Sequence, residues 1–375
     1  MKKLLITTDS FLPRWDGIAR VLSEIIPRLS KKYEITVVAP KFQGTSPKYK
    51  GVKIVRMQLS GRQFGDYPPA KINYKKVEEI VKENDLVFNQ TIGPIGFSAI
   101  SAAKKHRKPC VSFIHSIEWE LFSKAVKRFR GAVHKISRVF ARFCYNRCSL
   151  LLIPSEDVER VLKENAIRTK TQVVYLGTDI AKFIPPMDKK SAKRKLNISP
   201  KRIVIGFCGR IGREKDVPTL YNAFVKLSNF YTNLTLLIVG SGLKETEEAL
   251  MKQKNIILAG SKDNVIPYLQ AMDIYVLPSL TETTSISTLE AMSCGIPVVV
   301  TPVGFIRKYI KEGKNGIFFP KRNSGILARK LNDLIKSESL RQKLGSNARK
   351  TVVKQFNWDR TVKGIESALA KFTKS

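Results

Sequence analysis

The chain has 375 residues, 67 Lys and Arg against 31 Asp and Glu, and a formal net charge of +36. Hydrophobic residues at 43% and charged residues at 26% exclude a disordered polyelectrolyte and point to a globular protein too long for one ordinary core. No run reaches the roughly 18 apolar residues needed to span a bilayer, and the opening turns polar by Thr7, so a cytoplasmic location is expected.

In chain order, short apolar runs at 4–7, 34–39, 52–56, 85–89, 109–114 and 150–154 read as strands, with a helical period over 21–29. The pattern restarts at 202–208, 234–239, 255–259, 274–277 and 296–301. Strands alternating with helices predict two doubly wound parallel sheets, each a Rossmann-like domain. The Gly177-Thr178-Asp179 turn and the lysine-rich stretch 189–195 suggest a linker, and the division is drawn as 1–183 and 184–357. Five cysteines without compact spacing fit free thiols, and Cys144 and Cys148 suit helix packing better than a metal. No Asp-x-Asp pair at a strand end is present to hold a divalent ion, so no metal or cofactor is expected.

The run 271–304 carries the most chemical information. A buried strand over 274–277 is followed by a turn, by Ser285 or Ser287 as helix N-cap candidates, and by Gly295-Ile296-Pro297 before a further strand. Such a βαβ unit binds ligands beyond its strand C-termini, where Glu282 and Glu290 can each hold hydroxyls of a sugar-like ligand. The alternative is a loop Glu and a solvated helix Glu. Arg210 and Lys215 lie five apart in a glycine-bearing loop directly after the strand ending at Cys208, a place suited to a diphosphate. On composition alone they are two more exposed bases.

These motifs together resemble the retaining GT-B glycosyltransferases of family 4 (group 1). Glu282 and Glu290 match the E-x7-E signature, Glu290-Ala291-Met292 with Gly295-Ile296-Pro297-Val298-Val299 matches "EAM..G.PVV", and Gly209-Arg210-Ile211-Gly212-Arg213-Glu214-Lys215 matches "GRL..EK". With Val239-Gly240-Ser241-Gly242 and Gly304 the likeness covers most of residues 175–320. It implies a GT-B fold in which two Rossmann-like domains face a cleft, with helix 358–375 returning to the first. It also implies a nucleotide diphosphate sugar as substrate. Arg210 and Lys215, with the amides at Ser285 and Ile286, would hold the diphosphate; Glu290 the ribose; residues 260–264 the base; Glu282 the transferred hexose. His115, at the end of the strand 109–114, matches the family's functional histidine beside that sugar. Asp16-Gly17 stands where the family has paired glycines, and is expected to form a cleft loop. Ser285 replaces a common glycine, and the Glu-Thr opening resembles diacylglycerol glucosyltransferases, pointing to a lipid or membrane-glycan acceptor. A soluble acceptor or a 2-epimerase activity is the alternative within the fold.

Charge suggests where such an enzyme works. Residues 101–150 hold twelve Lys and Arg against two acids. Trp119, Phe122, Val126, Phe129, Val133, Ile136, Phe140 and Phe143 recur at three- and four-residue steps, with Lys124, Lys127, Arg128, Arg130, Lys135, Arg138, Arg142 and Arg147 on other faces. One basic amphipathic helix over 119–147 would place the chain at the inner face of an anionic membrane as a peripheral protein. The competing reading packs the stripe on the sheet. Nucleic-acid binding is the alternative of another class; bases spread over both halves without a reader motif speak against it.

Overall fold

The structure, a computed structural model, describes all residues except Trp15, 62–67, 126–128 and 374–375, and the side chains of Lys124 and Ala125. The chain forms two compact units. The first comprises Met1–Leu176 with Trp358–Ser375, the second Gly177–Asn357, against the division at 183/184 drawn from sequence.

The first unit runs β1 (Lys2–Thr7), α1 (Gly17–Leu29), β2 (Tyr33–Pro40), β3 (Val52–Met57), α2 (Tyr74–Glu83), β4 (Leu86–Asn89), α3 (Pro94–Lys105), β5 (Cys110–Phe113), α4 (Glu118–Ala125), α5 (Arg130–Tyr145), β6 (Leu150–Ile153), α6 (Glu156–Glu164) and β7 (Thr171–Val173). Its seven strands are all parallel, in the order β3-β2-β1-β4-β5-β6-β7. The second unit runs α7 (Lys189–Arg194), β8 (Ile203–Cys208), a short 3-10 turn at Arg213–Lys215, α8 (Val217–Ser228), β9 (Leu234–Val239), α9 (Lys244–Met251), β10 (Ile256–Gly260), α10 (Ile266–Ala271), β11 (Ile274–Leu277), α11 (Ile286–Ser293), β12 (Val298–Val300), α12 (Ile306–Tyr309), β13 (Ile317–Phe318), α13 (Ser324–Lys336) and α14 (Glu338–Gln355). Six parallel strands are ordered β10-β9-β8-β11-β12-β13. The last helix, α15 (Trp358–Ala370), belongs to the first unit, where Gln172 Nε2 donates to the Gly364 carbonyl and Trp358 is buried.

Both sheets follow from their sequence pattern. The strands β4, β5, β6 and β11 are buried at every residue, as a parallel sheet covered on both faces requires. Helices between them bury one face each, such as Val21, Leu22, Ile25, Ile26 and Leu29 of α1. The strand order reverses between β1 and β4 in the first unit and between β8 and β11 in the second. At such a reversal the loops leaving neighbouring strands part, and they open a crevice at the strand C-termini. Arg210, Lys215, Glu282 and Ser285 all lie on the two loops leaving β8 and β11.

The expected single helix over 119–147 is corrected. α4 ends at Ala125, and Phe129, with φ +57°, precedes α5, so α4 and α5 are separate helices. The stripe is not one face either. Trp119 is in the core, Phe122, Val133 and Phe140 are half-buried, and Phe129, Ile136 and Phe143 are exposed. The face of α5 that packs inward is Ser137, Ala141, Cys144 and Tyr145 instead. Ala141, Cys144 and Tyr145 join a core that includes Cys110 of β5 and Leu151 and Ile153 of β6, and none of the three lies on the Trp119–Phe143 stripe. Val126, Lys127 and Arg128 lie outside the described residues, as does the Lys124 side chain.

Candidate functional site

In the second unit the loop after β8 is tied to its neighbours through its backbone. Ile211 N–H donates to the Ser241 carbonyl (2.9 Å), Leu243 N–H to the Ile211 carbonyl (2.8 Å), and Leu280 N–H to the Glu214 carbonyl (2.7 Å). A Cβ on Gly240 would lie 1.9 Å from the Gly209 carbonyl oxygen, and one on Gly242 2.3 Å from that of Ile211. The glycines of the Gly-Ser-Gly turn are therefore explained by the close approach of two loops.

The side chains on this frame meet across it. Lys215 Nζ lies 2.5 Å from Glu282 Oε1, and Ser279 Oγ donates to the same oxygen at 2.8 Å. Arg210 Nη2 pairs with Glu214 Oε1 at 2.5 Å. Each of the two cations thus already has a carboxylate, and each pair is only partly open to solvent. Exposed ion pairs contribute little, but screening falls as water is excluded, and these two pairs lie on the loops that leave β8 and β11.

Ser285 precedes α11 with φ +61°, the left-handed region a glycine enters without strain. Its hydroxyl bonds Thr288 Oγ1 (2.8 Å) and makes no side-chain cap, so the first-turn amides of α11, beginning at Ile286, have no side-chain acceptor from it. The expected N-cap bond is thus replaced by a hydroxyl pair. Glu290 is one turn further and buried. From below, Phe305 N–H donates to the Thr283 carbonyl and Tyr309 OH to that of Thr284, both 2.8 Å. Near the expected base region, Ser241 and Ser261 hydroxyls lie 2.5 Å apart.

In the first unit His115 lies two residues past the end of β5. Its ring stacks on Phe113 with centroids 4.7 Å apart, and Nε2 is 3.0 Å from Gln90 Oε1. Loss of solvation pushes its pKa well below the ordinary imidazole value, so the ring is neutral at physiological pH. Asp16 caps α1, accepting from Ile18 and Ala19 N–H at 3.0 Å each, and Gly17 opens that helix. Asp9, buried in the preceding loop, accepts from Thr91 Oγ1 and from the Ile95 and Gly96 amides, which fixes the start of α3. Of the other histidines, His106 ends α3 against Glu78 (2.6 Å) and His134 is half-buried on α5.

Gln90, Ser279 and Thr301 emerge only from the structure, as single polar residues at strand ends without a spacing signal; Glu214 stands in the matched Glu-Lys pair, and the structure adds its pairing with Arg210. Arg130, Lys135 and Arg138 are exposed on α5 together with Arg142, beside exposed Ile136 (70%), Val139 and Phe143, with Phe129 (81%) just before the helix.

Comparison with known proteins places this geometry. Residues 188–351 match the family described as Glycosyl transferases group 1, and residues 15–182 match Glycosyltransferase Family 4. An uncharacterized glycosyltransferase of Methanocaldococcus jannaschii, MJ1069, is 25% identical, covering 96% of each chain. The alpha-monoglucosyldiacylglycerol synthase of Acholeplasma laidlawii is 24% identical over 84% of each chain. Among solved structures, Anabaena Alr3699/HepE in complex with UDP and glucose superposes with a TM-score of 0.80 at 19% identity, covering 99% of this chain and 100% of that one. The chain belongs to the group 1 glycosyltransferases of family 4 and has the GT-B fold.

Proposed function

We propose that this glycosyltransferase moves a hexose from a nucleotide diphosphate sugar to a hydroxyl of a lipid or membrane-associated glycan, with retention of anomeric configuration and without a metal. The observation that carries this reading is the cluster at the reversal point of the second sheet: Lys215 with Glu282 and Arg210 with Glu214, beside the uncapped amides of α11. It offers fixed cations and backbone donors for a diphosphate next to a carboxylate for a sugar.

In this reading Arg210, Lys215 and the amides at Ser285 and Ile286 bind the diphosphate and offset the charge that grows as it leaves. Glu282 accepts from a hydroxyl of the sugar, and Glu290 from the ribose. The C1–O bond to the diphosphate breaks as the acceptor oxygen bonds to C1 on the same face, and the acceptor proton passes to the departing phosphate oxygen. Products are the glycoside and the nucleoside diphosphate. His115 is assigned to the sugar by resemblance alone. A neutral ring there acts by hydrogen bonding, not by charge. Supporting the lipid acceptor are the Glu282-Thr283 opening, a diacylglycerol glucosyltransferase relative, and the exposed apolar and basic face of α5.

A thermal-shift panel of nucleotides and nucleotide sugars, with and without chelator, tests the donor. A ligand at 100 times its dissociation constant adds about 2.7 kcal/mol of stability. The selected donor, incubated with lipid and soluble acceptors, should yield a product whose anomeric proton coupling matches the donor's. Stabilisation by no nucleotide overturns the donor assignment, an inverted product overturns retention, and loss of turnover in chelator overturns metal independence.

A further inference from the structure

Ser279 follows Pro278 at the C-terminal end of β11 and is fully buried. Its hydroxyl donates to Glu282 Oε1 at 2.8 Å, while its own carbonyl accepts the Thr301 hydroxyl at 2.5 Å. Thr301, also fully buried, directly follows the neighbouring strand β12, and its N–H donates to the Leu277 carbonyl. Ser279 is thereby fixed to two adjacent strands of the sheet. The second donor to Glu282 Oε1 is different in kind. Lys215 Nζ, 2.5 Å away, sits on a flexible four-carbon stem.

A diphosphate reaching this crevice competes with Glu282 for the Lys215 ammonium, since both are anions and the diphosphate carries more charge. When Lys215 turns to the phosphate, Glu282 Oε1 keeps one donor, the Ser279 hydroxyl. We propose that Ser279 is a positioning residue that holds Glu282 on the transferred sugar once the diphosphate has drawn Lys215 away, so that sugar recognition is coupled to diphosphate binding through the Lys215–Glu282 pair. This rests on the nucleotide-sugar reading above. It adds a residue that acts only through Glu282, and a sign: Glu282 restrains the cation that the nucleotide needs.

Calorimetry on the whole chain tests both points without turnover, using UDP and UDP-glucose, or the nucleotide pair that the stabilisation panel selects. The readout is the sugar increment, the ratio of dissociation constants of the nucleoside diphosphate and its sugar. Ser279→Ala should leave nucleoside diphosphate affinity within about twofold and shrink the increment about tenfold, the loss of one hydrogen bond to a charged group. Glu282→Gln should shrink the increment and tighten the nucleoside diphosphate several-fold, because Lys215 is released. The double variant should match Glu282→Gln within about twofold. Ser279→Cys, nearly isosteric with a weak donor, should behave as Ser279→Ala and serves if the alanine variant melts early. A full increment in both Ser279 variants, or an equal further loss from Ser279→Ala in the Glu282→Gln background, overturns the positioning role. Weaker nucleoside diphosphate binding in Glu282→Gln overturns the restraint. A wild type that binds no nucleotide sugar overturns the underlying reading, whereas failure of the Ser279 arm in a wild type that does bind overturns this inference alone.

Discussion

Glu118 opens α4 with its side chain buried, and the Tyr145 hydroxyl of α5 donates to one carboxylate oxygen while the other is buried without a hydrogen-bond partner among the described residues. Desolvation pushes its carboxyl up to about 7, against the Tyr145 bond that favours the charged form. In the unfolded chain the same group releases its proton from about pH 4.3. Between those values the unfolded state holds fewer protons than the folded one, so stability falls as pH rises through that window. With the folded carboxyl at about 7 against an ordinary value of 4.5, each pKa unit being about 1.36 kcal/mol, the loss reaches ~3 kcal/mol once both states are ionised. Glu118→Gln keeps an oxygen for the Tyr145 hydroxyl and cannot ionise. Its stability relative to wild type should therefore climb by about 2–3 kcal/mol from about pH 5 to about pH 8.5, a relative rise in melting temperature of several degrees. Urea melts followed by circular dichroism across that range measure the difference, in which the other titrating groups cancel. A wild-type minus variant difference that stays level with pH, or that favours wild type increasingly in alkali, refutes the argument that a desolvated carboxyl is held at this helix start.

Arg210→Ala and Lys215→Ala should each weaken donor binding and turnover by about 2 kcal/mol, read by calorimetry and initial rates; unchanged donor affinity in both removes them from the diphosphate. Gly304 has φ +52°, and a Cβ there would lie 1.8 Å from the Glu282 carbonyl oxygen. Gly304→Ala should consequently displace the Glu282 loop, costing about 1–3 kcal/mol of stability and at least tenfold in turnover; normal rates would show that the loop position is not critical. If α5 meets an anionic membrane, vesicles containing anionic lipid should float the protein, and salt should release it as screening shortens to about 8–10 Å or less. Ile136→Ser with Val139→Ser should weaken flotation without lowering the melting temperature, and Arg130, Lys135, Arg138 and Arg142 to Ser should abolish it. Flotation that survives both sets places any membrane contact elsewhere on the chain.

Strands and their burial were legible in the amino-acid order because a parallel sheet covered on both faces needs mostly apolar runs, and 86–89, 110–113, 150–153 and 274–277 are such runs apart from the buried, mutually hydrogen-bonded Asn89 and Ser112. The loops bearing Arg210, Lys215 and Glu282 were legible too, since each follows a strand directly, and so was the helix bearing Glu290 that continues from the second of them. Edge strands β7 and β13, with three and two residues, carry too short a period to be read. The separation of α4 from α5, and the inner face of α5 with Ala141, Cys144 and Tyr145 in the core, lie off the bulky apolar spacing and depend on tertiary packing. What tertiary structure alone determined is which groups meet. Lys215 and Glu282 are 67 positions apart, and Ser279 and Thr301 lie on different strands. They come together because β8, β11 and β12 are adjacent in the sheet order. Local periodicity records how each element is buried; the pairing of polar side chains at strand ends is set by that order, which no single stretch of the chain encodes.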